Sequence, residues 1–161
     1  MTFRRHFIAA AVAAVAFTSS FHAQAQDMVL KAVDTHPAGY PTVVAVENMG
    51  KKLEAATNGR IKMKMYPGAV LGQEKEAVEQ TQIGAVQIAR ISLGVVGPVA
   101  PDVDVFNMPF VFRNVAHMRA VIDGPIGAEL LDKVTNSPAR LVALGWMDGG
   151  ARSLYTKKLV K

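Results

Sequence analysis

Hydrophobic and polar residues alternate with two different periods along this chain of 161 residues, and the changes of period predict its strands and helices. Residues 28–33 and 61–66 alternate one by one between apolar and polar side chains, which is typical of strands that bury one face. Between them, apolar residues recur at steps of three and four, so we predict a helix that begins at Pro41 and ends at the Asn58-Gly59 pair. This apolar stripe consists of Val43, Val46, Met49, Leu53 and Ala56.

The rest of the chain continues this succession of short elements. Predicted helices cover residues 73–83, 115–122 and 126–134, and predicted strands cover residues 86–91, 103–106 and 141–144. Glycine and proline interrupt residues 92–98, which favours a short helix or a loop there. This alternation of strands and helices predicts an α/β fold with a mostly parallel sheet flanked by helices.

In an open parallel sheet, ligands bind in the loops that follow the carboxyl ends of the strands. In this chain those loops are residues 34–40, 90–95 and 146–152. The last of them carries Arg152 out of a glycine-rich turn. A guanidinium holds a carboxylate through two parallel hydrogen bonds, so Arg152 is a candidate clamp for an organic anion, with an ordinary surface arginine as the alternative.

The first 25 residues are typical of a cleavable export signal. Arg4 and Arg5 form a cationic start, residues 7–17 form a short apolar core, and residues 23–25 read Ala-Gln-Ala, a small-x-small cleavage pattern. An N-terminal membrane anchor is the alternative, but the apolar core is shorter than the roughly 20 residues that span a bilayer. The arginine pair also permits twin-arginine export, although Phe3 stands where that signal usually has Ser or Thr, so the Sec and twin-arginine routes both stay open. The predicted location is the periplasm.

Charge and composition exclude several classes of protein. Loss of the two signal arginines lowers the formal net charge of +5 by two, and the remaining basic residues are scattered without interleaved aromatics, so nucleic-acid binding is not expected. The chain has no cysteine, so it has no disulfide and no thiol nucleophile. Outside the signal only His36 and His117 remain, distant in sequence, and we predict no metal site and no cofactor.

Catalytic motifs are also missing. The sequence has no nucleophile elbow, no phosphate loop and no dinucleotide fingerprint. Glu74, Glu76 and Glu79 share one predicted helix, where we expect them to solvate its exposed face rather than to form an acid–base pair. His117 is expected to be structural. The enzyme hypothesis is therefore weak, and we predict no catalytic residues.

The candidate chemistry that remains is of a binding type, and it lies in the loops after the strands. Each candidate has a plainer alternative: His36 can be a solvated turn residue, Arg90 can pair with a surface acid, and Phe110 can belong to the core. Their shared placement in the sequence favours a joint role. The candidate ligand-binding residues are Arg152, Ser92, Phe110, His36, Trp146 and Arg90.

Five short segments carry a resemblance to a known family. In their order and spacing they resemble the substrate-binding proteins of TRAP transporters, specifically the dicarboxylate-type DctP family, from about Met28 to the end of the chain. Each segment alone is a weak signal, but the set and its spacing are specific. The segments are Thr57-Asn58-Gly59-Arg60-Ile61-Lys62, Tyr66-Pro67-Gly68-Ala69-Val70-Leu71-Gly72, Met108-Pro109-Phe110-Val111-Phe112-Arg113, Asp123-Gly124-Pro125-Ile126-Gly127 and Gly149-Gly150-Ala151-Arg152-Ser153.

The resemblance implies an exported receptor with two α/β lobes of the periplasmic-binding-protein type II class, which closes by hinge motion on an organic acid. It implies that the receptor delivers this ligand to the membrane permease subunits of a TRAP transporter. Arg152 matches a family arginine that contacts the ligand carboxylate. Ser92 and Phe110 match positions in the pocket of the first lobe, and His36 and Trp146 match less closely.

Members of this family are roughly twice as long, so the expected organisation is residues 1–25 as signal peptide, residues 26–155 as the first lobe, and residues 156–161 as the start of the crossover into a second lobe. The chain is then expected to be truncated before that lobe, either as a fragment of a longer gene product or as a shortened relative. The competing hypothesis is a truncated non-functional fragment or an extracytoplasmic interaction domain, and a small secreted hydrolase is a weaker one.

Overall fold

A small parallel sheet forms the centre of the described structure, a computed structural model that describes residues 27–150 and 155–158. Strand β1 (Met28–Val33) pairs in parallel with β2 (Ile61–Tyr66) on one side and with β3 (Ile88–Ala89) on the other. The strand order is therefore β2-β1-β3. These contacts confirm the predicted α/β architecture with a parallel sheet flanked by helices.

Helix α1 (Pro41–Ala56) crosses from β1 to β2 and packs on the β2 side of the sheet. Its proline occupies the first turn, where the missing N–H leaves no bond unmade. Gly50 lets the helix come close to the strand, because a Cβ there would lie 2.5 Å from Met63 Cε. Asn58 and Gly59 both adopt positive φ angles after the helix, so they end it as predicted.

Helix α2 (Glu74–Gln82) returns from β2 and covers the β3 side of the sheet. Val33, Ala77 and Val86 form one buried cluster, against which Tyr66 and Leu71 pack. The predicted third strand, residues 86–91, is shorter in the structure. Strand β1 ends at Val33 and offers no partner after Ala89, and before Ile88 the N–H of Lys31 donates to the side-chain Oε1 of Gln87. Val86 itself is buried in the cluster and does not belong to the strand.

The second half of the described chain is helical. It contains α3 (Leu93–Val96), a 3₁₀ helix (Pro101–Asn107), α4 (Val115–Ile122) and α5 (Pro125–Thr135). Asn114 caps α4 by accepting a hydrogen bond of 2.8 Å from the backbone N–H of His117. Ala100, Val103 and Val134 form a second buried cluster.

The predicted strand at residues 103–106 is wrong, since the 3₁₀ helix occupies this position. Pro101 lies in the first turn of that helix, and Val103 is completely buried while the neighbouring aspartates, Asp102 and Asp104, are exposed. No strand of the described chain lies beside this segment, so it lacks the ladder partner that a strand needs.

The predicted strand at residues 141–144 is not part of the sheet either. Leu141 and Ala143 pack on the second cluster, whereas Val142 and Leu144 are 72% and 70% exposed. The side chains keep the alternation of a strand, but no described strand pairs with this segment. The prediction of a buried strand there is therefore wrong for the described part of the chain.

Several predictions concern residues that the structure does not describe. The signal peptide falls within residues 1–26, and Arg152 falls within residues 151–154. No helix among the described residues has both the length and the apolar character needed to cross a bilayer. The division into signal, first lobe and crossover stays a prediction.

Candidate solute-binding site

Two of the three predicted ligand loops meet at one edge of the sheet. Residues 34–40 follow β1 and residues 90–95 follow β3, and both lie beside the start of α2. Together with the start of α2 they line a shallow, open cleft of about 410 Å³. The cleft is lined by Thr35, His36, Gln73, Glu74, Lys75, Ser92 and Val95.

The carboxylate of Asp34 lies beneath this cleft and is completely buried. Its Oδ1 accepts hydrogen bonds from the backbone N–H of His36 at 3.0 Å and from Arg90 Nη2 at 3.0 Å. Its Oδ2 accepts from the hydroxyl of Thr42 at 2.8 Å and from Arg90 Nε at 3.2 Å. One side chain thus joins the loop after β1, the first turn of α1 and the end of β3.

These contacts determine the ionisation of Asp34. Burial, the largest single influence, acts to raise the pKa of the carboxyl group. Hydrogen bonds from Arg90, from His36 and from Thr42 to the charged form outweigh burial and hold the pKa of Asp34 below its ordinary value. Asp34 is therefore charged at neutral pH and balances the guanidinium beside it.

Arg90 uses all three of its guanidinium nitrogens within the protein. Nε and Nη2 donate to Asp34, while Nη1 lies 3.3 Å from Glu74 Oε1 and 3.4 Å from Ser92 Oγ. Nη2 also contacts His36 Nδ1. The side chain is only 13% exposed. Of the two roles considered from the sequence, this geometry favours ion pairing, although the acid it meets is buried rather than on the surface.

Glu74 is tied into the same network. Its Oε1 accepts hydrogen bonds from the backbone N–H of Ser92 at 3.1 Å and from the hydroxyl of Ser92 at 2.7 Å. The side chain is 18% exposed. The expectation that Glu74 merely solvates its helix is therefore wrong, because the loop after β3 folds over the helix start. Glu76 and Glu79 are exposed, as predicted.

His36 forms part of the wall of the cleft. Its ring stacks on Tyr40 with centroids 4.0 Å apart and planes 8° apart, and Nδ1 lies 2.8 Å from Asp34 Oδ1. The side chain remains 31% exposed. The contacts with Tyr40 and Asp34 fix the orientation of the His36 ring, and the exposed part of the side chain lines the cleft.

The other candidate residues lie elsewhere. Phe110 is fully exposed, with a φ of 60°, and does not line the cleft. Trp146 packs on the second buried cluster and donates from Nε1 to the carbonyl oxygen of Gly127 at 3.0 Å. Arg152 lies outside the described residues. The structure thus brings together His36, Arg90 and Ser92.

Sequence reasoning missed Asp34 and Glu74. A signal existed for Asp34, because a charged residue directly after a buried strand stands at the ligand edge of a parallel sheet. For Glu74 the signal was its place at the first residue of a helix that follows a glycine turn. Among residues 27–150 and 155–158, no group of histidine and acidic side chains is arranged to hold a metal ion. The groups of this cleft donate and accept hydrogen bonds, which suits the binding of a polar solute.

Solved structures with the same fold are solute receptors. A TRAP periplasmic solute-binding protein from Pseudomonas putida F1, solved with bound D-glucuronate, is 68% identical and superposes with a TM-score of 0.80. The match covers 82% of this chain and 43% of that one. A TRAP periplasmic solute-binding protein from Citrobacter koseri, also with bound D-glucuronate, is 53% identical with a TM-score of 0.79, over 82% of this chain and 44% of that one.

Sequence comparison gives the same assignment. A solute-binding protein from Chromohalobacter salexigens is 35% identical over 147 residues, which are 91% of this chain and 43% of that protein. The chain thus spans less than half of the length of these relatives. The sequence model of family 7 of the bacterial extracellular solute-binding proteins, DctP, matches residues 32–161. The chain belongs to this DctP family of solute-binding proteins.

Proposed function

We propose that this chain is the first lobe of a periplasmic TRAP receptor that binds a sugar acid, such as a uronate, for uptake by membrane permease subunits. The observation that carries this proposal is the cleft at the carboxyl ends of β1 and β3, built from groups that donate and accept hydrogen bonds. Two receptors that share 68% and 53% of the matched sequence hold D-glucuronate. The proposed role is binding without catalysis.

The proposed organisation follows the sequence analysis. Residues 1–25 direct export and are cleaved, residues 26–155 form the first lobe, and residues 156–161 begin the crossover to a second lobe. Arg152 belongs to the last residues of the proposed first lobe, and we propose that it binds the carboxylate of the solute. His36 and Ser92 contact the solute from the cleft of the first lobe, and Phe110 and Trp146 are supporting candidates.

A single lobe is expected to bind poorly. An ion pair open to water contributes about 0–1 kcal/mol, so one clamp without a covering lobe gives little affinity. We therefore expect the isolated chain to show weak or undetectable binding of D-glucuronate by calorimetry. Micromolar affinity of the isolated chain would contradict this expectation.

The decisive experiment measures D-glucuronate binding in a two-lobed receptor. Such a receptor is the longer gene product where the reading frame continues past Lys161, or a fusion of this chain to the second lobe of the Pseudomonas putida protein. Arg152→Ala should abolish the binding heat, whereas Arg113→Ala, at an exposed arginine, should leave it unchanged. Unchanged binding in the Arg152 variant would refute Arg152 as the carboxylate clamp, whereas no binding by the unmodified receptor would favour an interaction domain instead.

A further inference from the structure

The cleft presents an unusual balance of charge to a ligand. The positive charge of Arg90 is already shared between Asp34 and Glu74, and each guanidinium nitrogen has an acceptor within the protein. Arg90 has therefore little capacity left to bind a ligand carboxylate. Lys75 also lines the cleft, but it is exposed, so water screens much of its attraction.

Glu74, in contrast, has one carboxylate oxygen, Oε2, that accepts no hydrogen bond from the described residues. All the hydrogen bonds that the described residues make to its carboxylate end on Oε1. No buried side-chain oxygen or nitrogen in the described part of the chain lacks a partner, so Oε2, which has none there, is accessible, and Glu74 lines the cleft. Ser92 and Arg90 hold the other oxygen, which restrains the carboxylate of Glu74.

A fixed carboxylate oxygen acts on ligands in two ways. It accepts a charge-assisted hydrogen bond from a hydroxyl group, which is stronger than a bond between neutral groups. It also repels a second anion, and such repulsion is a common source of selectivity between otherwise similar ligands. This oxygen would raise the affinity for a polyhydroxylated acid and lower the affinity for a small dicarboxylate.

We propose that Glu74 is a specificity-determining residue, whose free oxygen binds a hydroxyl group of a sugar acid and disfavours the second carboxylate of a dicarboxylate. This inference rests on the proposed function, since it assigns a role within the same cleft. Asp34 and Arg90 act as positioning residues, because they hold Glu74 and the loop after β3 in place without contacting the ligand.

The test compares two probes, D-glucuronate and succinate, in the two-lobed receptor. Glu74→Gln removes the charge but keeps the size of the side chain and one acceptor oxygen. We expect it to weaken D-glucuronate binding about tenfold and to strengthen succinate binding several-fold. Both effects shift the ratio of the two affinities towards succinate. Glu79→Gln, on the exposed face of the same helix, is the matched control and should leave both affinities unchanged.

A second variant guards against a simple structural effect. Glu74→Asp keeps the charge but withdraws it by one methylene group, so it should weaken D-glucuronate binding without any gain for succinate. Thermal unfolding of each variant separates loss of binding from loss of fold. An unchanged affinity ratio in a folded Glu74→Gln variant would overturn the proposal for Glu74, whereas failure of the unmodified receptor to bind D-glucuronate would instead overturn the proposed function.

Discussion

Replacing Asp34 with asparagine tests whether the network beneath the cleft holds the fold together at this edge. The carboxylate is completely buried and Arg90 is 13% exposed, so solvent screening is small. An amide keeps one acceptor oxygen, but its NH₂ group would face either Thr42 and Arg90 Nε, or His36 and Arg90 Nη2. In either orientation the NH₂ group faces an N–H donor of Arg90, so at least one hydrogen bond is lost, and Arg90 loses its main counter-charge.

The expected cost follows from this geometry. Removing one partner from a buried ion pair typically costs about 3–5 kcal/mol, because the remaining charge is left uncompensated. Glu74 still lies 3.3 Å from Arg90 Nη1 and relieves part of this cost, so the lower end, about 3 kcal/mol, is expected. Domains of this size have an unfolding free energy of about 5–15 kcal/mol, so the loss is a large fraction of the total.

Urea unfolding followed by circular dichroism measures the effect. The free energy of unfolding should fall by about 3 kcal/mol in Asp34→Asn with an unchanged dependence on urea concentration. Asp27→Asn, at an exposed aspartate, should change it by less than about 0.5 kcal/mol. A loss below about 1 kcal/mol in Asp34→Asn would refute the idea that this carboxylate organises the cleft.

Three further predictions concern acid, close packing and exposed apolar surface. Since the folded pKa of Asp34 lies below its ordinary value, its stabilisation is fully present above about pH 4 and is lost as the pH falls through the folded pKa. The stability gap between the parent and Asp34→Asn should therefore narrow progressively as the pH falls below about pH 4, and a gap that stays constant throughout the acid range would contradict the pKa argument. Gly127→Ala should destabilise the chain by about 1–3 kcal/mol in the same urea assay, because a Cβ there would collide with the carbonyl oxygen of the last residue of α4. Gly94→Ala should be neutral, because nothing lies within 4 Å of a Cβ at that position, and equal effects of the two variants would refute the packing argument. Light scattering should show self-association of the purified chain through the exposed Val142 and Leu144, reduced by Val142→Thr with Leu144→Gln, and a clean monomer at high concentration would count against an uncovered face.

The sequence predicted the elements whose partners are close in the chain. Helix α1 and strand β2 were predicted within a residue or two, because the periods of 3.6 and two depend only on which face each element buries. The strand prediction for residues 103–106 was wrong because alternating valines also occur in a 3₁₀ helix that inserts one valine into a core. Whether a neighbouring strand is available to such a segment depends on tertiary structure, and no local pattern contains that information.

The candidate site shows the same division. His36, Arg90 and Ser92 were predicted from their positions after strands, and the structure places all three at one edge of the sheet. The pairing of Asp34 with Arg90 joins residues 56 positions apart, and neither residue's neighbours in sequence indicate the other. Placement at the edge of a parallel sheet was predictable, but the identity of the partners was not.

The pairing of Arg90 changes which residue is expected to bind the acid group of a solute. Two arginines were candidates from the sequence, and both were predicted to lie in loops at the ligand edge of the sheet. Arg90 is occupied by Asp34 and Glu74, so releasing it for a ligand would leave a buried carboxylate unpaired. A ligand carboxylate gains little from an arginine that already has such internal partners, so we propose Arg152, which the family resemblance indicates, rather than Arg90 as its binding residue. If Arg152→Ala and Glu74→Gln both weaken D-glucuronate binding but only Glu74→Gln improves succinate binding, the acid group and the hydroxyl groups are bound by separate parts of the receptor.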